Sequence, residues 1–472
     1  MKPREISPDN TVFLIISFEG PDQYSKAGGL GVRVAELADS LADMEFETHL
    51  LFVGDPSLPG EEVLRNGKLH FHRWGQWISN YFPDGVYQGE NQKLYDFNDS
   101  VPPWVLHNVV KPAAEQGKIV AILGEEWHTA EVMCRISDLL HYNRLRDTAI
   151  LFWNANNVFS FDRINWSRLG YTNTITTVSR YMKHRMWEVG TDPLVIPNGI
   201  PRRALEPVDE SAVERVRKAL GADPLLFKIG RFDPDKRWNM AVEAVARLKG
   251  LGMHPVMPIR GGIEPHGAEV LANARRLGLT VKEVRASGRA VEDCVRAIES
   301  AADSAEILDL RFFLPDEFVR VMYRAADAVL ANSGHEPFGL VGLEVMGAGG
   351  VAFTGSTGED YAIPFDNAVV LDTSDPGEIV GYVAHLRFHT HEADLIRERA
   401  RHTAETFLWD RVIENLTAKL EYVARNQGVL AGVEEEVAAA PARRGGARPR
   451  SQRPRKTAGG DEPITPVDEL AV

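Results

Sequence analysis

Two groups of charged side chains, about a hundred positions apart, are the residues of this chain best suited to chemistry. Arg231 and Lys236 follow an apolar run, and cations held at the end of a strand can stabilise a diphosphate as it leaves. Glu336 and Glu344 flank a turn that contains small residues, and carboxylates accept hydrogen bonds from sugar hydroxyl groups. Together, the two groups predict a site for a nucleotide-sugar. The alternative for the cations is a solvated loop in which they pair with neighbouring aspartates.

The turn between the two glutamates predicts a second kind of contact with the diphosphate. Phe338, Gly339 and Leu340 stand where a helix is expected to begin, and the free amides of a helix start bind anions. Glu344 would lie within that helix, at a separation from Glu336 that suits the ribose of a nucleotide-sugar. The structural alternative for Glu344 is an ordinary first-turn glutamate stabilised by the helix dipole.

A glycine-rich loop near the start of the chain could bring main chain close to the same ligand. Gly28 and Gly29 precede a predicted helix, and Lys26 would add a cation beside them. An ordinary turn between strand and helix also accounts for a pair of glycines. The loop does not have the G-x-G-x-x-G spacing, so a nicotinamide cofactor is not implied.

His128 begins a predicted helix at the carboxyl end of a strand, which is where α/β sheets bind ligands. It could bond a sugar hydroxyl, although a lone histidine is more often a structural residue. Asp233 and Asp235 form a D-x-D string, which holds a metal ion in other transferases. Pro234 and the helix that follows favour a cap or turn instead, so we expect no metal ion and no cofactor.

Composition and charge count against several classes of protein. Of the 472 residues, 25% are charged, and the net charge of −14 does not suit nonspecific binding to nucleic acid. No apolar run approaches the roughly 20 residues that span a membrane. The two cysteines, Cys134 and Cys294, predict a reduced, cytoplasmic protein rather than a disulfide framework. The oligomeric state is not indicated.

The order of apolar runs and amphipathic segments predicts an α/β protein with two doubly wound, Rossmann-like domains facing each other across a cleft. We place the first domain at residues 1–196, the second at 197–405 and a long final helix at 406–428. Residues 429–472, rich in Ala, Arg, Pro and Gly, are predicted to be disordered. Residues 60–105 are rich in aromatic side chains, which favours an insertion with its own local core over a platform for sugar rings.

These motifs occur in an order that resembles the GT-B glycosyltransferases, specifically the retaining, metal-independent group that includes glycogen and starch synthases and sucrose synthase-like enzymes. Residues 26–30 (KAGGL) are similar to a K-x-G-G-L signature, and 126–129 (EWHT) to an Asp-Trp-His segment with glutamate replacing aspartate. The pair of cations resembles the family's phosphate-binding pair, and residues 336–344 (EPFGLVGLE) its E-x7-E motif. Residues 407–410 (FLWD) resemble the start of the helix that crosses back to the first domain. The resemblance covers about residues 10–425.

The resemblance implies a role for each candidate residue. The residues predicted to be catalytic are His128, Arg231, Lys236 and Glu336. The residues predicted to bind the donor are Lys26, Gly28, Gly29, Phe338, Gly339, Leu340 and Glu344. The implied reaction moves a sugar, glucose above all, from UDP- or ADP-glucose to a carbohydrate acceptor on the first domain, with retention of configuration.

Two departures from the family pattern lie in the first domain. Residues 154–157 (NANN) replace the His-Asn-containing acceptor segment of a glycogen synthase, and residues 60–105 differ from the usual insertion. The departures therefore concern an α-glucan acceptor and not the donor. Two alternatives stay open: a glycosyltransferase that uses another nucleotide-sugar and a small acceptor such as a sugar phosphate, and a noncatalytic nucleotide-sugar-binding module.

Overall fold

The structure is a computed structural model that describes residues 2–301, 305–355 and 358–431. The predicted tail begins at residue 429, but Val429 and Leu430 are buried in the hydrophobic core beside the first sheet. Burial of these two apolar side chains accounts for the ordered end of the chain at this point. The rest of the predicted tail, residues 432–472, lies outside the described residues.

The first sheet contains eight strands within the described residues and is almost entirely parallel. The strands are β1 Thr11–Ile16, β2 Glu47–Val53, β3 Glu61–Leu64, β4 Leu69–Trp74, β5 Ile119–Glu125, β6 Ala149–Ala155, β7 Thr174–Thr177 and β8 Leu194–Val195. Their order is β3-β4-β2-β1-β5-β6-β7-β8, and β3 runs antiparallel to β4. Strands β1, β5 and β6 are buried along their whole length, as expected for a parallel sheet covered on both faces.

Helices cover both faces of this sheet. They are α1 Gly29–Asp43, α2 Gln76–Ser79, α3 Glu90–Val105, α4 Lys111–Glu115, α5 Ala130–Tyr142, α6 Trp166–Thr172 and α7 Arg180–Met186. Helix α1 buries Val34, Leu37 and Leu41 against one face, whereas α5 packs on the opposite face beside α3. Both arrangements follow from amphipathic helices whose apolar stripe has a period of 3.6 residues.

Residues 60–105 are not a separate insertion. They supply β3 and β4, which complete one edge of the first sheet, and α3, which packs against α5. The aromatic side chains of this segment do not form a local core of their own. Phe97 is buried in the main core, while Trp77, Tyr81 and Tyr95 are exposed. The sequence hides β4 because His70 and His72 interrupt its apolar pattern.

The second sheet contains seven strands within the described residues, and every described pair is parallel. The strands are β9 Leu226–Ile229, β10 Met257–Arg260, β11 Val281–Val284, β12 Ile307–Leu310, β13 Ala328–Ala331, β14 Ala352–Thr354 and β15 Val369–Val370. Their order is β11-β12-β10-β9-β13-β14-β15. The chain therefore starts in the middle of the sheet and winds to both edges, as the sequence predicts for a doubly wound domain.

The remaining helices belong to this half of the chain or follow it. They are α8 Glu210–Leu220, α9 Trp238–Gly250, α10 His266–Arg276, α11 Val291–Ala301, α12 Asp316–Ala325, α13 Leu340–Gly347, α14 Pro376–Phe388, α15 Thr390–Thr406 and α16 Trp409–Asn426. Helix α16 packs against α1, and Trp409 and Ile413 enter the core beside the first sheet. The last helix thus returns from the second sheet to the first.

The predicted fold class is confirmed, with two parallel α/β sheets that each have helices on both faces. Cys134 in α5 and Cys294 in α11 are both buried, and they form no disulfide with each other. Among the described helices, none is long and apolar enough to cross a membrane.

Candidate active site

The carboxyl ends of strands from both sheets border one cleft, with a volume of about 710 Å³. This volume lies within the range of about 300–1,000 Å³ that small-molecule sites occupy. Nine of the eleven residues predicted from the sequence line it. These are Gly28, Gly29, His128, Arg231, Lys236, Glu336, Phe338, Gly339 and Leu340. Lys26 and Glu344 are not among the lining residues.

Arg231 follows β9 directly, and its main chain is held by buried neighbours. The indole Nε1 of Trp238 donates a hydrogen bond to the Arg231 carbonyl at 2.8 Å, and the Phe232 amide donates to Glu264 at 3.0 Å. The Phe232 and Trp238 rings pack together with centroids 4.7 Å apart. No ion pair of Arg231 is found within the described residues, so its guanidinium is available to an anion.

Lys236 and Glu336 form an ion pair across the floor of the cleft, with Nζ 2.6 Å from Oε1. Burial raises the pKa of Glu336, but the Lys236 ammonium more than offsets it, and the pKa lies below its ordinary value. Glu336 is therefore a carboxylate at neutral pH. Because an ammonium has three protons, Lys236 can hold Glu336 and still donate to a phosphate oxygen.

The short turn before Lys236 explains the D-x-D string. A side-chain oxygen of Asp233 accepts a hydrogen bond from the Asp235 amide at 2.9 Å and caps the turn Pro234–Lys236. The interpretation of these aspartates as a cap is thus confirmed. The Asp235 carbonyl in turn accepts from the Gly334 amide at 2.7 Å, which ties the cation loop to the loop that carries Glu336.

The start of α13 faces the cleft, as the sequence predicts. Gly339 has φ of +82°, a conformation that favours glycine, and the Tyr361 hydroxyl donates a hydrogen bond to its carbonyl. Ser179, at the start of α7, donates to the carbonyl of Pro337 and so joins the two halves of the cleft. Within the described residues, the amides of 338–340 donate no hydrogen bond, which leaves them free for phosphate oxygens.

Glu344 lies within α13, one turn beyond the start of the helix, and does not line the cleft. The Tyr323 hydroxyl donates to its carboxyl group at 3.2 Å. Burial raises the pKa of Glu344 to about 7, and the bond from Tyr323 only partly offsets that rise. Since Glu344 does not line the cleft, its predicted contact with a ribose stays a prediction.

The glycine loop presents a different chemistry from the one expected. Glu19, which follows β1, is 5% exposed and accepts hydrogen bonds from the amides of Gly28 at 3.0 Å and Gly31 at 3.1 Å. The Tyr87 hydroxyl donates to the same carboxylate at 2.6 Å. The start of α1 thus already holds an anion, and a phosphate would have to displace Glu19 to reach the Gly28 amide. Lys26 is exposed.

His128 is a neutral, buried side chain in the wall of the first domain. Its ring stacks on Phe18 at 4.2 Å and on Trp127 at 3.8 Å, and its Nε2 lies 2.9 Å from Glu90. Burial lowers the pKa of His128 to about 4, although the Glu90 carboxylate opposes that shift. The other nitrogen, Nδ1, has no hydrogen-bond partner within the described residues. Since Nδ1 is itself buried and Nε2 is engaged by Glu90, the predicted contact of His128 with a sugar hydroxyl stays a prediction.

Glu126 has the most unusual main chain at the site, with φ of +68° and ψ of 167°. Residues other than glycine rarely adopt this region, which costs about 1–3 kcal/mol and is concentrated at functional sites. Its carboxyl group accepts from the amides of Asn156 at 2.5 Å and Asn157 at 3.0 Å. Burial raises the pKa of Glu126 to about 8, so this acid is mainly protonated at neutral pH.

A buried network supports Glu126 from behind. Arg33 on α1 is 5% exposed and donates to both carboxylate oxygens of Glu125 at 3.3 Å. It also donates to the side chain of Asn198, in the segment that links the two sheets. Asn154 and Asn156 donate to Glu125 at 2.9 and 2.7 Å. The NANN segment, which departs from the family pattern, therefore positions the two neighbouring glutamates.

Sequence reasoning missed Glu19, Tyr87, Glu90 and Lys228 as residues of the site or its support. Lys228 lies within β9, donates to the Leu330 carbonyl at 3.0 Å and is fully buried beneath the cation loop. Burial, with the nearby Lys236 ammonium adding to it, lowers the pKa of Lys228 to about 7. The sequence did contain a signal for two of these residues. Lys228 interrupts an apolar run, and Glu19 follows β1 by three residues, near the end of the strand where ligands bind. Tyr87 and Glu90 lie far from the motifs along the chain and had no such signal.

Comparison with known proteins places this geometry among glycosyltransferases. Residues 212–403 match the family described as "Glycosyl transferases group 1". A protein of Geodermatophilus obscurus named D-inositol 3-phosphate glycosyltransferase is 31% identical over 238 residues, 48% of each chain. One of the same name from Streptomyces bingchenggensis is 24% identical over 412 residues, 82% of each chain. Apart from the Streptomyces protein, the chain spans about half or less of the length of the curated relatives it matches.

Solved structures share the fold at low sequence identity. Sucrose-phosphate synthase from Thermosynechococcus elongatus aligns with a TM-score of 0.59 and 16% identity, over 87% of this chain and 99% of that one. The catalytic domain of starch synthase IV from Arabidopsis thaliana, bound to ADP and acarbose, gives a TM-score of 0.59 and 16% identity, over 88% and 99%. The resemblance to the GT-B fold is thereby confirmed.

Proposed function

We propose that this chain, whose residues 212–403 match the group 1 glycosyl transferases, moves a sugar from a nucleotide-sugar to a hydroxyl group of a carbohydrate. The observation that carries the proposal is the convergence of Arg231, Lys236 and Glu336 with the free amides of 338–340. Two cations and a helix start fit a diphosphate, and the adjacent carboxylate fits sugar hydroxyls.

The donor side of the reaction follows from these positions. The bond between the sugar's anomeric carbon and the diphosphate breaks, and the departing phosphate gains negative charge. Arg231 and Lys236 stabilise that charge, as preorganised cations do in phosphate-releasing enzymes. Glu336 holds the sugar through its hydroxyl groups while it remains paired with Lys236.

The acceptor side needs no protein nucleophile. The acceptor oxygen forms the new bond to the anomeric carbon, and its proton passes to an oxygen of the departing phosphate. Front-side attack of this kind retains the configuration of the sugar. We include retention and independence of metal ions in the proposal, with Asp233 engaged as a cap rather than as a metal ligand.

Glucose, delivered by UDP or ADP, is the proposed sugar. The motif resemblance supports glucose, and His128 of the motif at 126–129 lines the cleft. The acceptor would lie opposite the cations, against the wall formed by Glu90, Trp127 and His128 of the first domain. The name of the curated relatives supports a small phosphorylated acceptor, and the similarity to a starch synthase supports a glucan.

The proposal is tested by nucleotide release from UDP-, ADP- and GDP-sugars in the presence of EDTA, with product identification by mass spectrometry. We expect release from one donor to rise when a carbohydrate acceptor is added. Glu336→Ala should abolish turnover while leaving nucleotide binding within a few fold. The proposal fails if the protein binds the nucleotide but yields no glycosylated product from any donor. That result would support a noncatalytic nucleotide-sugar-binding module instead.

A further inference from the structure

The charge of the cleft differs sharply between its two walls. On the second-domain wall, Arg231 has no described ion pair and Lys236 keeps protons free for a phosphate. On the first-domain wall, the acidic lining residues besides Glu126 are Glu19 and Glu90, and the basic lining residue is the buried Arg33. The acceptor would lie against the first-domain wall, so the charge that the acceptor carries should be compatible with the acidic side chains of that wall.

The single cation that lines the first-domain wall is already neutralised. Arg33 is 5% exposed and bonds both oxygens of Glu125, and its remaining donor reaches Asn198. If Arg33 moved away to bind a ligand, the Glu125 carboxylate would be left buried without its partner, and an unpaired buried charge is strongly destabilising. Arg33 therefore supports the wall and is not offered to a ligand.

A carboxyl group of the chain itself lies at the place where an anion would normally bind on this wall. The start of α1 directs amides towards the cleft, and Glu19 accepts from those of Gly28 and Gly31. The hydroxyl of Tyr87 also donates to Glu19. The amides of Gly29 and Leu30 have no partner within the described residues, but a phosphate that reached them would lie beside Glu19, and like charges in contact repel.

Arg163 is the nearest further cation, and it is also engaged. Its guanidinium stacks over the Trp127 ring at 4.0 Å and lies 4.0 Å from a carboxylate oxygen of Glu90. Glu90 in turn lies 2.9 Å from His128. Glu19 and Glu90 thus already have hydrogen-bond or ion-pair partners within the protein. We therefore do not expect the acceptor to be a cation.

What the wall does offer suits uncharged hydroxyl groups. Tyr87 and Phe159 provide exposed aromatic side chains, and sugar rings pack well on aromatic faces. Asn157 and the second oxygen of Glu90 provide polar positions beside them. Aromatic faces with a few polar groups are a usual way to hold a neutral ring and set its orientation.

We propose that the acceptor is an uncharged polyhydroxyl compound, a free sugar or polyol, and that the first-domain wall selects it against the corresponding sugar phosphate. This inference rests on the proposed glycosyl transfer. It differs from what the names of the curated relatives suggest, because their named acceptor carries a phosphate. Glu90 is the residue that we assign to this selection, since its carboxyl group lines the wall and its second oxygen lies 4.0 Å from the nearest described cation partner, Arg163.

The test compares acceptors in matched pairs with the full chain and its identified donor. The pairs are myo-inositol with inositol 3-phosphate, glucose with glucose 6-phosphate, and fructose with fructose 6-phosphate. We expect kcat/KM for the neutral member of the preferred pair to exceed that of the phosphorylated member at least tenfold. Glucosamine is added to test for a cationic acceptor.

Glu90→Lys tests the assigned residue, because it replaces the carboxylate with a cation at the same place. We expect this variant to shift the ratio of kcat/KM towards the phosphorylated member at least tenfold. Glu115→Lys makes the same change of charge at an exposed position on α4, outside the cleft, and should leave the ratio unchanged.

The outcomes separate the two proposals. A wild-type preference for a phosphorylated acceptor, or for glucosamine over glucose, overturns the inference and leaves glycosyl transfer in place. An unchanged ratio in Glu90→Lys, with wild-type preference for neutral acceptors, removes Glu90 from the selection. Absence of any glycosylated product from every donor and acceptor overturns the proposed function itself.

Discussion

Replacement of Lys236 by alanine is the most direct test of the donor site. Lys236 lies at the end of a capped turn, and its ammonium is 2.6 Å from Glu336 in a mostly buried pair. When the sugar leaves, the diphosphate gains about one unit of negative charge. The variant removes one cation that would stabilise that added charge, while Arg231 remains.

The magnitude follows from the charge that develops. One unit charge about 4 Å from a cation interacts by roughly 4 kcal/mol at an effective dielectric constant of about 20. Water that enters the vacated space recovers part of this energy, so we expect kcat to fall about 10²–10³-fold. The affinity for the free nucleoside diphosphate should fall by a smaller factor than kcat. Binding does not include the step in which the diphosphate gains charge, and that step is where the loss of Lys236 acts.

The assay is steady-state nucleotide release, with calorimetric binding of the nucleoside diphosphate measured in parallel. Lys249→Ala is the matched control, because it breaks a lysine–glutamate pair of 2.7 Å with Glu306 on the surface. The control should retain wild-type kcat. A Lys236→Ala variant that folds and keeps more than half of the wild-type kcat would refute our assignment of this cation to the diphosphate.

Four further predictions concern buried groups and the glycine loop. The pKa of Glu126, about 8 when folded against an ordinary 4.5, makes the free energy of unfolding fall as pH rises between these values, and Glu126→Gln should remove that slope in denaturant titrations. The pKa of Lys228 is about 7 against 10.5, so stability should rise with pH over that interval, and calorimetry of Lys228→Met should show no such rise. A Cβ at Gly31 would lie 2.7 Å from the Gly20 carbonyl, so Gly31→Ala should cost about 1–3 kcal/mol of stability in chemical denaturation. A Cβ at Gly29 meets nothing within 4 Å, so Gly29→Ala should keep its melting temperature and lose activity because the methyl group enters the cleft.

Much of the two sheets could be predicted because their strands are buried on both faces. Strand β13, with the sequence AVLA at residues 328–331, is one such continuous apolar run. Continuous apolar runs between turn residues are a strong local signal. Strands at a sheet edge, such as β3 and β11, and β4 beside an edge lack that signal, because their exposed positions carry charged or histidine side chains.

The donor side of the site was accessible to the same kind of reasoning. Arg231 and Lys236 follow one strand directly, and Glu336 follows another, so the rule that parallel sheets bind ligands at their carboxyl ends brings them together. The glycine loop was predicted less well. Glu19 follows β1 by only three residues, but its position at the start of α1 depends on how the chain folds back between them.

The local pattern of residue types was enough to indicate two wound sheets, a cation pair and a carboxylate pair, because each depends on neighbours within a few positions. The state of these groups depended on partners distant along the chain. Glu90 reaches His128 over 38 positions, Lys236 reaches Glu336 over 100, and Arg33 reaches Asn198 over 165. Burial and charge at a site are sums over all groups packed around it, so only the tertiary structure shows which carboxyl groups are neutral and which cations are free.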